Sequence, residues 1–148
     1  MERLLSDDLI VQIRQVFENL KEPVQVLLFT AQSREDICAP TRQLLEELTA
    51  VSDKLSLSVH DMDAEPGLAA TYQTTGKAPA LVIAARDGEQ VVDYGIRYLG
   101  IPSGHEFSTL IQDLILVSGR DSGLSDQLRS YVRALQKPLH LEVFVTPT

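Results

Sequence analysis

A lone thiol is the first residue here that could do chemistry. Cys38 lies in the run Gln32-Ser33-Arg34-Glu35-Asp36-Ile37-Cys38-Ala39-Pro40, just after the apolar stretch Val24 to Thr30. A cysteine at the front of a helix gains thiolate character from the free N–H groups and dipole there. A paired dithiol would place its attacking sulfur three residues earlier, where this chain has Glu35. A carboxylate cannot attack a disulfide, and Glu35 and Asp36 set negative charge beside Cys38, which opposes thiolate formation. Two readings of Cys38 stay open: a partly buried apolar thiol, or a monothiol centre that exchanges by a one-cysteine route.

Ala78-Pro79 precedes an apolar run, Ala80 to Ala85, and is the second candidate, as a backbone platform for an extended substrate. Asp61, Asp63 and Glu65 form an acidic cluster, but without the ligand count or glycine turn of a calcium loop, so a solvated strand end is expected. His105 stands beside Glu106, and the spacing of Ser103 and Glu106 is that of a capping box, which leaves His105 a surface residue of a first helical turn. His140 sits in an alternating stretch with no evident partner in sequence. One cysteine and three scattered histidines build no zinc site, and there is no Gly-rich phosphate loop, G-x-S-x-G or H-E-x-x-H. No metal and no cofactor are expected.

The elements that position these residues follow from periodicity. Leu9, Ile10, Ile13, Val16, Phe17 and Leu20 recur at helical spacing behind Ser6, Asp7 and Asp8, which suit a capped helix start. Pro23 ends that segment, and Val24 to Thr30 is nearly continuous in apolar residues, as a strand buried on both faces would be. Leu44, Leu45, Leu48 and Val51 form a second helical stripe, and Leu55, Leu57 and Val59 then alternate into a strand ending at Asp61. A short helix is expected from Pro66 to Tyr72, then a hairpin of Ala80–Ala85 and Gln90–Ile96 around a type I′ turn at Asp87-Gly88. A helix with Phe107, Leu110, Ile111, Leu114 and Val117 on one side closes the series. The order α-β-α-β-α-β-β-α implies a right-handed parallel crossover followed by an antiparallel hairpin. That is a four-stranded mixed sheet flanked by helices, the thioredoxin-like arrangement.

The chain also repeats itself at an offset of 115: Leu9, Ile13, Phe17, Leu20, Pro23, Val24, Leu28 and Phe29 align with Leu124, Leu128, Val132, Leu135, Pro138, Leu139, Val143 and Phe144. Residues 1–120 are therefore expected to be one complete unit, and 121–148 the first helix and strand of a second, truncated copy. The charge agrees with this division. Residues 1–120 hold 18 acidic and 10 basic side chains while the last 28 hold three of each, so all of the net charge of −8 belongs to the first unit. Strong acidity excludes nucleic acid as a partner. One cysteine excludes a disulfide scaffold, and no leader pattern or long apolar run is present, so a cytoplasmic location and no membrane partner are expected.

Tyr94-Gly95-Ile96-Arg97-Tyr98-Leu99-Gly100-Ile101-Pro102-Ser103-Gly104-His105-Glu106-Phe107 resembles a segment of the two-unit, glutaredoxin-like protein disulfide oxidoreductases. The same segment occurs in the N-terminal domain of the flavoprotein subunit of alkyl hydroperoxide reductase, where the first unit has lost its cysteines. Val143-Phe144-Val145-Thr146-Pro147-Thr148 looks like the lead into the second unit's C-P-x-C site. The resemblance implies a thiol-disulfide oxidoreductase parent acting on protein thiols and disulfides, with Pro79 as a cis-proline. Glu35-Asp36-Ile37-Cys38 is then a degenerate C-x-x-C, and this unit a redox-inactive structural or substrate-docking partner of the second. The severed strand, Leu139 to Val145, offers an apolar edge that either packs on the first unit or pairs two chains into a homodimer.

Overall fold

The computed structural model describes residues 2–146, so the last two residues of the expected lead into a second site, Pro147 and Thr148, lie outside the described residues. Ser6 caps the first helix, α1 (Asp7–Phe17), by accepting the Leu9 N–H at 3.3 Å. The helix buries Ile13 and Phe17. Strand β1 (Val24–Thr30) is buried at every position, as its unbroken apolar run requires of a central strand. Then come a 3-10 turn (Gln32–Arg34), α2 (Glu35–Thr49), β2 (Leu55–Asp61), α3 (Pro66–Thr71), β3 (Ala80–Asp87), β4 (Gln90–Leu99), α4 (His105–Ser118) and α5 (Asp126–Arg133).

The sheet order is β2-β1-β3-β4, with β2 parallel to β1 and the other two pairings antiparallel. Alternation along the strands sorts the core into two layers. Val24, Val26 and Leu28 of β1 and Leu81, Ile83 and Ala85 of β3 pack against α1, α2 and α4. Leu27 and Phe29, with Ala80, Val82 and Ala84, form the second layer with Ala69 of α3 and with Cys38. This is the thioredoxin-like arrangement expected from the element order.

Several local expectations are corrected. The hairpin loop is Gly88-Glu89, with positive φ at Gly88 alone, the pattern of a type II′ rather than a type I′ turn. Strand β4 runs on to Leu99 because a bulge at Tyr94-Gly95 absorbs two residues; Gly95 takes φ +86° there and donates its N–H to Asp93 Oδ1 at 2.9 Å. No capping box forms at α4. Its N-cap is Gly104, at φ +60°, and no side chain caps the helix.

Helix α5 forms, capped by Ser125, but starts a turn later than the offset predicts and buries no residue. Leu139 to Val145 forms no strand, and its apolar side chains are largely exposed, Phe144 at 88%. A β-strand exists only where a neighbour takes its backbone hydrogen bonds, and no described strand lies beside this segment.

Candidate functional site

Three segments converge beyond the carboxyl ends of β1 and β2. Ala31 and the 3-10 turn carry the chain from β1 into α2, Met62 and Asp63 follow β2, and the loop 72–79 returns from α3 to β3. Between them lies a groove of about 350 Å³ whose walls include Ser33, Arg34, Met62, Asp63, Gly76 and Ala78. The crevice at strand carboxyl ends is the usual place for ligands in sheets with parallel crossovers.

The loop 72–79 is held tightly. Thr74, wholly buried, receives its place from two bonds to the Ala69 carbonyl, through its N–H at 2.9 Å and its hydroxyl at 3.2 Å. Lys77 N–H donates to the Thr74 carbonyl at 2.9 Å, and Arg97 Nε donates to the Tyr72 carbonyl at 2.9 Å. The Ala78–Pro79 peptide is cis, and the Pro79 carbonyl accepts the Gly100 N–H at 2.8 Å. Ala78 thus reaches the groove wall.

The two other site residues drawn from the sequence lie elsewhere. Cys38 is the fourth residue of α2 and has no exposed surface; it packs in the layer that holds Phe29, Met62 and Ala78. Glu35, the first residue of α2, points outward, its nearest cationic partner being Arg42 at 3.9 Å. Neither lines the groove. Ser33 and Arg34 stand where α2 opens, because a 3-10 turn is inserted between strand and helix and pushes Cys38 into the second helical turn. The polar triplet Gln32-Ser33-Arg34, set between an apolar strand and the helix, is the sequence trace of this inset, and it fits a loop as well as a helix start.

Asp61 accepts the Asp63 N–H at 2.8 Å, a local turn, while Glu65 pairs with His60 at 3.0 Å. Among the described residues no group of three acidic, histidine or cysteine side chains is arranged to hold a metal ion. His105 is an exposed first-turn residue of α4. His140, which shows no evident partner in sequence, meets Glu142, two residues on, at 2.8 Å. No helix of the described residues is long and apolar enough to cross a membrane.

No family model matches this chain. It is 27% identical over 145 residues to the F subunit of alkyl hydroperoxide reductase from Staphylococcus aureus, covering 98% of this chain and 25% of that protein. With the corresponding protein of Xanthomonas campestris pv. phaseoli it shares 30% over 146 residues, covering 95% and 23%. The chain therefore spans about a quarter of the length of these curated relatives. Among solved structures, the NTD_N/C domain of alkylhydroperoxide reductase AhpF from Enterococcus faecalis superposes with a TM-score of 0.77 at 27% identity, over 90% of this chain and 62% of that one. A protein disulfide oxidoreductase from Aeropyrum pernix gives 0.73 at 24% identity, over 88% and 55%. The chain is thus a homologue of the AhpF N-terminal domain, and it shares the thioredoxin-like fold of the disulfide oxidoreductase.

Proposed function

We propose that residues 1–120 are a thioredoxin-like unit with a degenerate redox site, which serves a thiol-disulfide oxidoreductase as a structural and substrate-docking unit. The complete burial of Cys38 carries this reading: a thiol with no exposed surface, away from the groove walls, is not placed to exchange with a disulfide. The groove itself keeps a backbone platform at Ala78 with Ser33, Arg34 and Asp63 around it, which suits an extended polypeptide. The setting we assign is cytoplasmic.

Residues 121–148 are, in this reading, the opening of a second unit, and that unit is the partner. The exposure of Leu128, Tyr131 and Val132 on α5 and of Leu141, Val143 and Phe144 beyond it supports a face built to be covered. Pairing with a second copy of this chain is the competing occupant.

Reduction of insulin by dithiothreitol tests the redox part: adding the chain leaves the rate unchanged, and turnover comparable to a thioredoxin overturns the reading. Backbone amide shifts test docking: an extended cysteine-free peptide displaces Ser33, Arg34 and Ala78, and unmoved signals at millimolar peptide refute it. Light scattering separates the occupants, since a dimer mass at high concentration assigns the exposed segment to self-pairing.

A further inference from the structure

The sheet face that carries Phe29 and Val82 also carries a line of polar side chains. On β2 the two-residue period places Ser56, Ser58 and His60 on one side, next to Gln25 of β1. Ser56 Oγ donates to Gln25 Oε1 at 2.8 Å, and Gln25 Nε2 donates to Ser58 Oγ at 3.2 Å. Ser58 Oγ lies 3.0 Å from His60 Nε2, and His60 Nδ1 lies 3.0 Å from Glu65 Oε2.

The roles in this line are set by chemistry. An ionised carboxylate only accepts, so Nδ1 of His60 carries the proton it gives to Glu65. In the neutral ring Nε2 is then the acceptor, and the Ser58 hydroxyl points its proton there. The imidazole is held: its side chain is 20% exposed, and it stacks on the Phe29 ring at 5.4 Å between centroids. Glu65 occupies the N-cap position of α3, just ahead of Pro66. Nucleophile, base and orienting carboxylate in hydrogen-bonded sequence are the signature of an activated serine.

Part of the backbone of this strand is free of the ladder. Lys54 gives its carbonyl to Val24 N–H and Met62 gives its N–H to the Thr30 carbonyl, both at 2.8 Å, so the even-numbered residues of this strand turn their backbone toward β1. The odd-numbered ones, Val59 among them, turn theirs toward the free edge of the sheet. The N–H of Val59, the residue after Ser58, therefore points to the open edge of the sheet, outside the strand ladder.

We propose that Ser58, His60 and Glu65 form an acyl-transfer centre for small activated esters, separate from the groove and independent of any thiol chemistry. Ser58 Oγ attacks the ester carbonyl carbon and its proton passes to His60 Nε2. The tetrahedral adduct collapses, the C–O bond to the leaving group breaks, and the alcohol departs with that proton. Water then attacks the acyl-Ser58 ester by the same route, releasing the carboxylic acid and restoring the hydroxyl. An open sheet edge supplies little binding energy to remote parts of a substrate, which limits the class to short acyl chains with good leaving groups.

p-Nitrophenyl acetate is the probe. The full chain is expected to release p-nitrophenolate and to carry acetyl on Ser58, located by peptide mass spectrometry after acid quench. Ser58→Ala removes the modification, His60→Gln slows acylation roughly 100-fold, and Glu65→Gln slows it less, with circular dichroism and melting reporting on fold. Acetyl found only on lysines, Cys38 or the amino terminus overturns the proposal, as does a wild-type rate in folded Ser58→Ala. The mapping uses the unaltered protein, so it decides even where a variant misfolds.

Discussion

Arg97 grips Asp93 through both terminal guanidinium nitrogens, at 2.8 and 2.6 Å, while its Nε holds the Tyr72 carbonyl at 2.9 Å. One side chain thereby ties the bulge of β4 to the start of the loop that brings Ala78 to the groove. The pair is well shielded, with side-chain exposures of 19% for Arg97 and 31% for Asp93, and Arg97 also lies over the Tyr72 ring.

Asp93→Asn is expected to cost roughly 1–3 kcal/mol, the range for charge-assisted bonds, and to speed hydrogen exchange through residues 72–77. The bonds from Arg97 hold the Asp93 carboxyl below its ordinary value; burial opposes them, and the Gly95 N–H adds to them. A depressed folded pKa stabilises above the unfolded value of about 3.9 and is lost as pH falls toward the folded one. Urea midpoints measured between pH 5 and 2 should therefore drop less steeply for Asp93→Asn than for the parent.

Cys38 is expected to resist thiol reagents in the native protein and to react at once in denaturant. Cys38→Ala should cost roughly 1 kcal/mol in urea unfolding, as a small cavity in the layer with Phe29 and Met62. Fast native labelling would contradict the burial.

Tyr98 donates its hydroxyl to Asp113. Burial first, then this hydrogen bond and the negative charges of Asp113 and Glu106, push its phenol well above the ordinary tyrosine value. In an alkaline absorbance titration Tyr98 should stay protonated until the chain unfolds. A raised folded pKa stabilises below the unfolded value of about 10 and is lost as pH climbs past it, so Tyr98→Phe should flatten the alkaline fall in stability.

Glu47 clamps the amino-terminal segment by accepting the N–H groups of Leu4 and Leu5 at 2.9–3.0 Å and the Gln43 amide at 2.9 Å. Burial raises its carboxyl pKa, but these donors and Arg3 outweigh burial and lower it. Glu47→Gln should accelerate amide exchange at Leu4 and Leu5 roughly tenfold, about the worth of one hydrogen bond to a charged group. Unchanged exchange would show the clamp to be idle.

Apolar spacing predicts the helix around Ile13 and Phe17, the buried strand from Val24, and the helix of Leu44, Leu45 and Leu48, because burial selects residue type position by position. The start of α2 is less legible. The polar run from Gln32 is compatible with either a loop or a helix start, and the inserted turn changes which residues, Ser33 and Arg34 rather than Glu35 and Cys38, reach the groove. At Ser103 and Glu106 a sequence spacing promises side-chain bonds that the left-handed backbone at Gly104 replaces.

The sequence by itself determined the order of elements, the all-buried central strand and the lack of a second thiol. Those follow from hydrophobic period and from residue identity, which need no partner to be read. Only the tertiary structure decided that Cys38 is sealed inside and that Leu139 to Val145 pairs with no described strand. It also decided that Ser58, His60 and Glu65 meet. Burial depth, strand pairing and side-chain hydrogen bonds depend on what lies across space, and a linear pattern carries only the propensity for them.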